Sequence, residues 1–240
     1  MELVKVIEKK VIKDYFVLTV ETNKTFNSKP GQFFMLNLLD SLNLPKPFSV
    51  MDEKGNYLSF LIKIVGSFTE KISSLKYGDS LLIRGPYGVP IINKIDLTKK
   101  YILLGGGCGS APLIYFSKEY PQLVKDTLFS FKEVYIQSIL PKLTLFIDDI
   151  MGMTPVEFLS QNQEKLENSG AILCGSKGLL NSFFDTFPNM KNRSYVSLEE
   201  NMGCGSGLCK GCPVQTVAGV KMVCKDGPIF KANEVNLEWK

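Results

Sequence analysis

Tyr101-Ile-Leu-Leu-Gly105-Gly-Gly-Cys-Gly-Ser110-Ala-Pro112 is the stretch that decides how this chain folds. Four bulky apolar residues run without interruption into a cluster of glycines. Such a run, bounded by turn residues, reads as a strand buried on both faces. Pro112 suits the first turn of a helix reaching about Glu119, because its missing N–H leaves nothing unsatisfied there. Strand, glycine turn and helix open a βαβ unit, so a parallel α/β sheet is expected around them. The loop would lie at a helix N-terminus, where backbone N–H groups and the helix dipole favour a phosphate. It is not a G-x-G-x-x-G loop: counted from Gly105 the last position is Ser110, and counted from Gly107 it is Pro112. A tight turn with no ligand accounts for the same glycines.

Downstream, the alternation continues. Lys142-Leu-Thr-Leu-Phe-Ile reads as a strand ending at Asp148-Asp149, and Thr154-Pro-Val-Glu157 opens a helix with a capping-box pattern. Ala171-Ile-Leu-Cys174-Gly is a further strand and turn, followed by a helix over Leu179 to Phe184. Cys174 would stand at the C-terminal end of its strand, the side on which open α/β sheets bind ligands. A small, partly buried side chain is the plainer reading of both Cys174 and Cys108.

Upstream, the pattern is different. Val4-Lys-Val-Ile, Tyr15-Phe-Val-Leu-Thr-Val, Gln32-Phe-Phe-Met-Leu-Asn-Leu, Tyr57-Leu-Ser-Phe-Leu-Ile-Lys-Ile-Val and Ser80-Leu-Leu-Ile-Arg are rich in β-branched and aromatic residues. Turn signals such as Pro30-Gly31, Gly55-Asn56 and Gly78-Asp79 separate them, which predicts a small antiparallel barrel. A short helix is predicted from about Thr69 to Leu75. Lys63-Ile-Val-Gly66-Ser-Phe-Thr69, a basic strand end entering that helix, is a sensible anion site or an ordinary cap beside a solvated lysine. Lys46-Pro-Phe-Ser49 and Gly85-Pro-Tyr-Gly88 read most simply as turns. The organisation expected is an N-terminal barrel over 1–97, an α/β domain over 98–195 and a cysteine module over 196–240.

That last module reads Cys204-Gly-Ser-Gly-Leu-Cys209-Lys-Gly-Cys212, with Cys224 beyond. C-x4-C-x2-C with a fourth cysteine further on is the spacing of plant-type [2Fe–2S] sites. Gly203, Gly205, Gly207 and Gly211 would let backbone N–H groups approach a cluster closely. Zinc is the alternative, although its ligands usually come as paired C-x2-4-C units. Disulfides fit poorly, given the short spacing.

The remaining composition narrows the chemistry. The chain has 240 residues and no histidine. That excludes Ser–His–Asp and Cys–His catalysis, histidine-ligated metals and Rieske ligation. A net charge of +4 is too mild to imply nucleic acid. No apolar run approaches a membrane span, and Met1 to Lys10 lacks the core of a signal peptide, so a cytoplasmic protein is expected.

Taken in order, K-P-F-S, G-P-Y-G, G-G-G-C-G-S-A-P, C-G and C-x4-C-x2-C-x11-C resemble one family. It is the electron-transfer subunit of dihydroorotate dehydrogenase B, within the ferredoxin–NADP reductase-like superfamily. Ser197-Leu-Glu-Glu-Asn-Met-Gly-Cys-Gly205 and Val223-Cys-Lys-Asp-Gly-Pro-Ile-Phe230 carry the resemblance most sharply. The resemblance implies FAD on the barrel, contacted by Lys46, Pro47, Phe48 and Ser49, by Leu61, Ile62 and Lys63, and by Phe68 and Thr69. It implies a nicotinamide nucleotide site lined by Gly105, Gly106, Gly107, Gly109 and Pro112, with Cys174 nearby. It implies a [2Fe–2S] cluster on Cys204, Cys209, Cys212 and Cys224. No catalytic residue follows from it. Lys46 and Phe68 depart from the family's pattern, standing in place of an arginine and a glycine. The implied activity passes electrons from a partner, an FMN-containing dihydroorotate dehydrogenase catalytic subunit, to NAD as co-substrate. A sulfide dehydrogenase or ferredoxin–NADP oxidoreductase subunit would share the scaffold, and a zinc-holding binding module would share the cysteines.

Overall fold

The computed structural model describes residues 1–39, 44–140, 145–146 and 152–237. Its first half is a closed barrel of β1 (Glu2–Ile12), β2 (Tyr15–Glu21), β3 (Phe33–Asn37), β4 (Lys46–Lys54), β5 (Tyr57–Lys63) and β6 (Ser80–Tyr87). The order around the barrel is β1-β2-β5-β4-β3-β6, and every paired neighbour is antiparallel. Alternation explains the closure. On β2, Phe16, Leu18 and Val20 point into the barrel core with Phe34, Phe60 and Ile83. Tyr15 and Val17, on the other face of that strand, pack against the second half of the molecule instead. Helix α1 (Ser67–Ser74) lies between β5 and β6 and buries Phe68 and Ile72 in the barrel core.

Two expectations needed correcting here. Lys46-Pro-Phe-Ser49 is the start of β4, not a turn. Pro47 stands opposite Met35 on β3, and β4 breaks register between Val50 and Asp52. Gly85-Pro-Tyr likewise belongs to the end of β6 rather than to a turn. Gly85 is required there, since a Cβ would lie 2.7 Å from the Phe34 ring.

The second half holds a six-stranded sheet in the order β14-β11-β10-β7-β8-β9. Its strands are β7 (Lys100–Gly106), β8 (Val124–Ser130), β9 (Leu145–Phe146), β10 (Ser169–Cys174), β11 (Ser194–Ser197) and β14 (Ile229–Lys231). All pairings are parallel except that of β14 with β11. The strand expected over 142–147 is described only at β9, and Asp148 and Asp149 lie outside the described residues. Both faces of the sheet are covered, which is why β7 carries no charged residue after Lys100. Ile102 and Leu104 face one core with α3 (Pro155–Gln161) and α4 (Lys177–Thr186). Tyr101 and Leu103 face another with α2 (Ser110–Glu119) and the outer barrel residues Tyr15, Val17, Met51 and Leu61. The capping box at Thr154 forms as its sequence predicts, with the Glu157 N–H donating to Thr154 Oγ1.

Barrel and sheet therefore share a core. The buried Tyr115 hydroxyl of α2 donates to the Ser28 carbonyl at 2.8 Å. Lys118 pairs with Asp52, and Lys13 with Glu133, both at 2.8 Å. The segment after β11 carries the cysteines and a hairpin, β12 (Pro213–Thr216) and β13 (Gly219–Met222). It then forms the short helix α5 (Val223–Asp226) and rejoins the sheet as β14. Cys212, Val214, Val223 and Cys224 are buried in the same core as Leu104 and Leu173.

Candidate cofactor crevice and cysteine loop

The sheet changes direction between β7 and β10. From β7 the chain proceeds to β8 and β9 on one side, and it returns to β10 and β11 on the other. That reversal is where open α/β sheets bind ligands, beyond the carboxyl ends of the strands. A crevice of about 910 Å³ opens at this point, between the sheet and the barrel.

The barrel wall of the crevice is Lys46, Pro47, Phe48 and Ser49 from β4, Leu61, Ile62 and Lys63 from β5, and Val65 to Thr69 leading into α1. Phe68 lies nearly parallel to Phe48, with ring centroids 6.3 Å apart. Thr69 Oγ1 accepts the Val65 N–H at 2.9 Å and so fixes the approach to the helix. The sheet wall holds Gly106, Gly107, Cys108 and Gly109 after β7, and Cys174, Ser176 and Lys177 after β10. Gly105 and Pro112 are not among the lining residues.

The glycine loop serves two purposes. A Cβ at Gly109 would lie 2.4 Å from the Cys174 carbonyl oxygen, so this glycine lets the start of α2 approach β10. Gly107 adopts a φ of +54, in the left-handed region, and lies beside the Tyr15 hydroxyl. Part of the cluster of glycines is thus demanded by packing, and part by the turn facing the crevice.

Tyr15, Phe33, Ser176 and Lys177 line the crevice without any local sequence signal, and the run Ser197 to Met202, part of the stretch that carries the family resemblance, lines it too although no cofactor contact was expected of it. Burial pushes the thiols of Cys108 and Cys174 up to about 12, and the nearby Glu199 carboxylate adds to both. Glu199 itself is pushed above the ordinary carboxylate range by desolvation. Lys63 Nζ stands 5.3 Å from the Tyr15 ring centroid, a cation–π contact at the rim.

The cysteine loop lies against the barrel. All six cysteines are free thiols. Cys204 Sγ accepts N–H groups from Ser206 and Cys209, each at 3.4 Å, and Cys212 Sγ accepts that of Cys224 at 3.5 Å. The Cys209 and Ser206 amides pull the Cys204 thiol down to about 6, while burial pushes Cys224 up to about 12. Cys209 is exposed, and Cys212 and Cys224 are buried. Gly203 and Gly211 both border Cys209 Sγ: a Cβ on either would come within 3.6 Å and 3.4 Å of it. Among the described residues no three potential ligand side chains converge into a closed shell. Thiols lacking disulfide partners, amide donors aimed at sulfur, and glycines packed against a thiol are the donor set that suits an iron–sulfur cluster.

An antiparallel barrel joined to a parallel sheet, with a crevice at their seam, is the architecture of the ferredoxin reductase-like flavoproteins. Solved structures agree. The NADH-dependent reduced ferredoxin–NADP oxidoreductase aligns with a TM-score of 0.79 and 24% identity, over 99% of this chain and 91% of that one. A ferredoxin NADP+ reductase from Neisseria gonorrhoeae with bound FAD and NADP gives 0.65 at 16% identity, over 84% and 94%. An FAD-binding domain model matches residues 1–91, and the iron–sulfur cluster binding domain of dihydroorotate dehydrogenase B matches residues 199–236. Among curated relatives, the dihydroorotate dehydrogenase B (NAD(+)) electron transfer subunit of Clostridium acetobutylicum is 30% identical over 218 residues, 88% of each chain. That of Listeria innocua is 30% identical over 250 residues, covering 97% of this chain and 98% of the other. The chain belongs to the family of dihydroorotate dehydrogenase B electron transfer subunits.

Proposed function

We propose that this chain is the electron-transfer subunit of an NAD-linked dihydroorotate dehydrogenase. It receives electrons from a partner catalytic subunit that oxidises dihydroorotate at its own FMN, and delivers them to NAD+. The overall reaction is dihydroorotate plus NAD+ giving orotate, NADH and a proton. The bound groups supply the redox chemistry: one-electron exchange at a [2Fe–2S] centre, and two-electron, hydride-forming chemistry at FAD.

The chain's own residues hold and separate these groups. Lys46, Lys63 and the N-terminus of α1 supply positive charge for the FAD phosphates. Pro47, Phe48 and Ser49, with Leu61, Ile62, Phe68 and Thr69, form the wall for the flavin. Gly106, Gly107 and Gly109 bring backbone N–H groups to the nucleotide side, beside Cys174, with Gly105 and Pro112 shaping the turn beneath them. Cys204, Cys209, Cys212 and Cys224 hold the cluster as thiolates, because a metal ion deprotonates a coordinating thiol outright. No side-chain acid or base is required for hydride transfer, which suits a chain without histidine.

The observation that carries this reading is the contact between the cysteine loop and the flavin barrel. Arg84 of β6 donates from Nη2 to the Cys204 carbonyl at 2.9 Å. Tyr87 of the same strand pairs with the crevice residue Phe33, with ring centroids 6.0 Å apart. Cluster and flavin would thus share one wall. The working assembly is a cytoplasmic heterotetramer with the catalytic subunit, and six free thiols suit a reducing compartment.

Anaerobic purification tests the reading. The protein should be brown-yellow, with FAD, iron and acid-labile sulfide in cluster stoichiometry, and NADH should bleach the flavin. A colourless protein with stoichiometric zinc would overturn it.

A further inference from the structure

Arg84 is one of only two arginines in a chain whose cations are otherwise lysines, and the other, Arg193, lies elsewhere. It stands on β6 opposite Met35 of β3. Its side chain is partly buried, with Cζ 5.9 Å from the Tyr87 ring centroid. One nitrogen, Nη2, donates to the Cys204 carbonyl. Another, Nε, is buried without a hydrogen-bond partner among the described residues. Beside it the loop lies hard against the barrel: a Cβ on buried Gly205 would come 2.8 Å from Met35 Cγ and 3.0 Å from Tyr87 Cδ2. A cation held this way, with an N–H unmet by protein, is costly unless an anion lies nearby.

We propose that Arg84 positions the cysteine loop on the barrel and raises the reduction potential of the cluster held there. This rests on the functional reading above. A cluster bound by four thiolates is anionic and gains one further negative charge on reduction. A fixed, partly desolvated cation beside a ligand backbone therefore stabilises the reduced form more than the oxidised one. The exposed cations of the module among the described residues, Lys210, Lys221 and Lys225, do not compete, because solvent and salt screen them. Arginine suits the task because its planar fork can bond a carbonyl and keep further donors in place, which a lysine cannot do.

The test is an EPR-monitored redox titration of the purified complex, with R84Q, R84K and K210Q beside the wild type. In R84Q the ratio of reduced to oxidised cluster, at the wild-type midpoint, should fall about fivefold or more. That equals roughly 40 mV for a one-electron couple. R84K should fall by about twofold, and K210Q by less. The flavin midpoint, the internal control, should stay in place. A wild-type midpoint in cluster-replete R84Q would overturn the role of Arg84, as would an equal shift in K210Q. If R84Q fails to retain its cluster, R84K decides: an unshifted midpoint there overturns the role. A wild type that shows no reduced-cluster signal sinks the functional reading and this role together, whereas a wild-type signal with unshifted variants sinks this role alone.

Discussion

Cys209 is the exposed member of the cysteine set. C209S should therefore lose acid-labile sulfide and coupling to the partner while the protein stays folded, and NADH-driven dye reduction through the flavin should continue. C108S should keep its cluster. Lys46 lines the crevice with its side chain exposed, so K46A should weaken FAD binding about tenfold, as expected for removing one charge-assisted contact. Equilibrium dialysis of the apoprotein reads this out. Cys174, buried and held as a thiol, should resist iodoacetamide at pH 8 in the native protein and label on unfolding, as followed by mass spectrometry. The four clustered cysteines were legible in sequence as a candidate ligand set because their spacing along the chain is itself the chemical signature. Tyr15, Glu199 and Arg84 were not, since each reaches its place only through tertiary packing.

At the level of elements, α2 depends on its close approach to β10. G109A places a methyl group against the Cys174 carbonyl, a backbone atom that cannot rotate away. It should cost about 1–3 kcal/mol, seen as a lower urea midpoint. At Gly106 the nearest atom is the end of the Leu179 side chain, 3.0 Å away, so G106A should cost less. The barrel and the alternating sheet could be read from apolar periodicity, but four strands could not. β4 opens with Lys46-Pro47 and ends in charged residues, so it lacks a strand's composition. β8 begins with Val124, Lys125 and Asp126, and its apolar part is short. β11 and β14 span only four and three residues. Each of these is a strand because neighbours supply its hydrogen bonds, and propensity contributes little. The start of α1 also lies two residues earlier than its sequence suggests, since Gly66 supplies the cap.

The molecule as a whole is joined through an apolar seam, and its surface ion pairs add little to that. Y115F removes the buried hydroxyl that spans barrel and sheet. It should lower stability by about 1 kcal/mol and the melting temperature by roughly 2–4 °C, with one cooperative calorimetric transition retained. The order of the parts was visible in the sequence, but their mutual orientation was not, because Tyr15, Val17 and Leu61 look like ordinary strand residues until the sheet covers them. One detail of connectivity has a kinetic consequence. Ser197 and Ile229 are rungs of the same ladder, so residues 198–228 leave the sheet and rejoin it at adjoining places. The cysteine segment is an inserted excursion anchored at both ends, not a tethered arm that swings between donor and acceptor. A cluster held by its cysteines would keep the position that this double anchoring gives it. Turnover of the assembled enzyme with saturating substrates should accordingly show no dependence on solvent viscosity when sucrose is added.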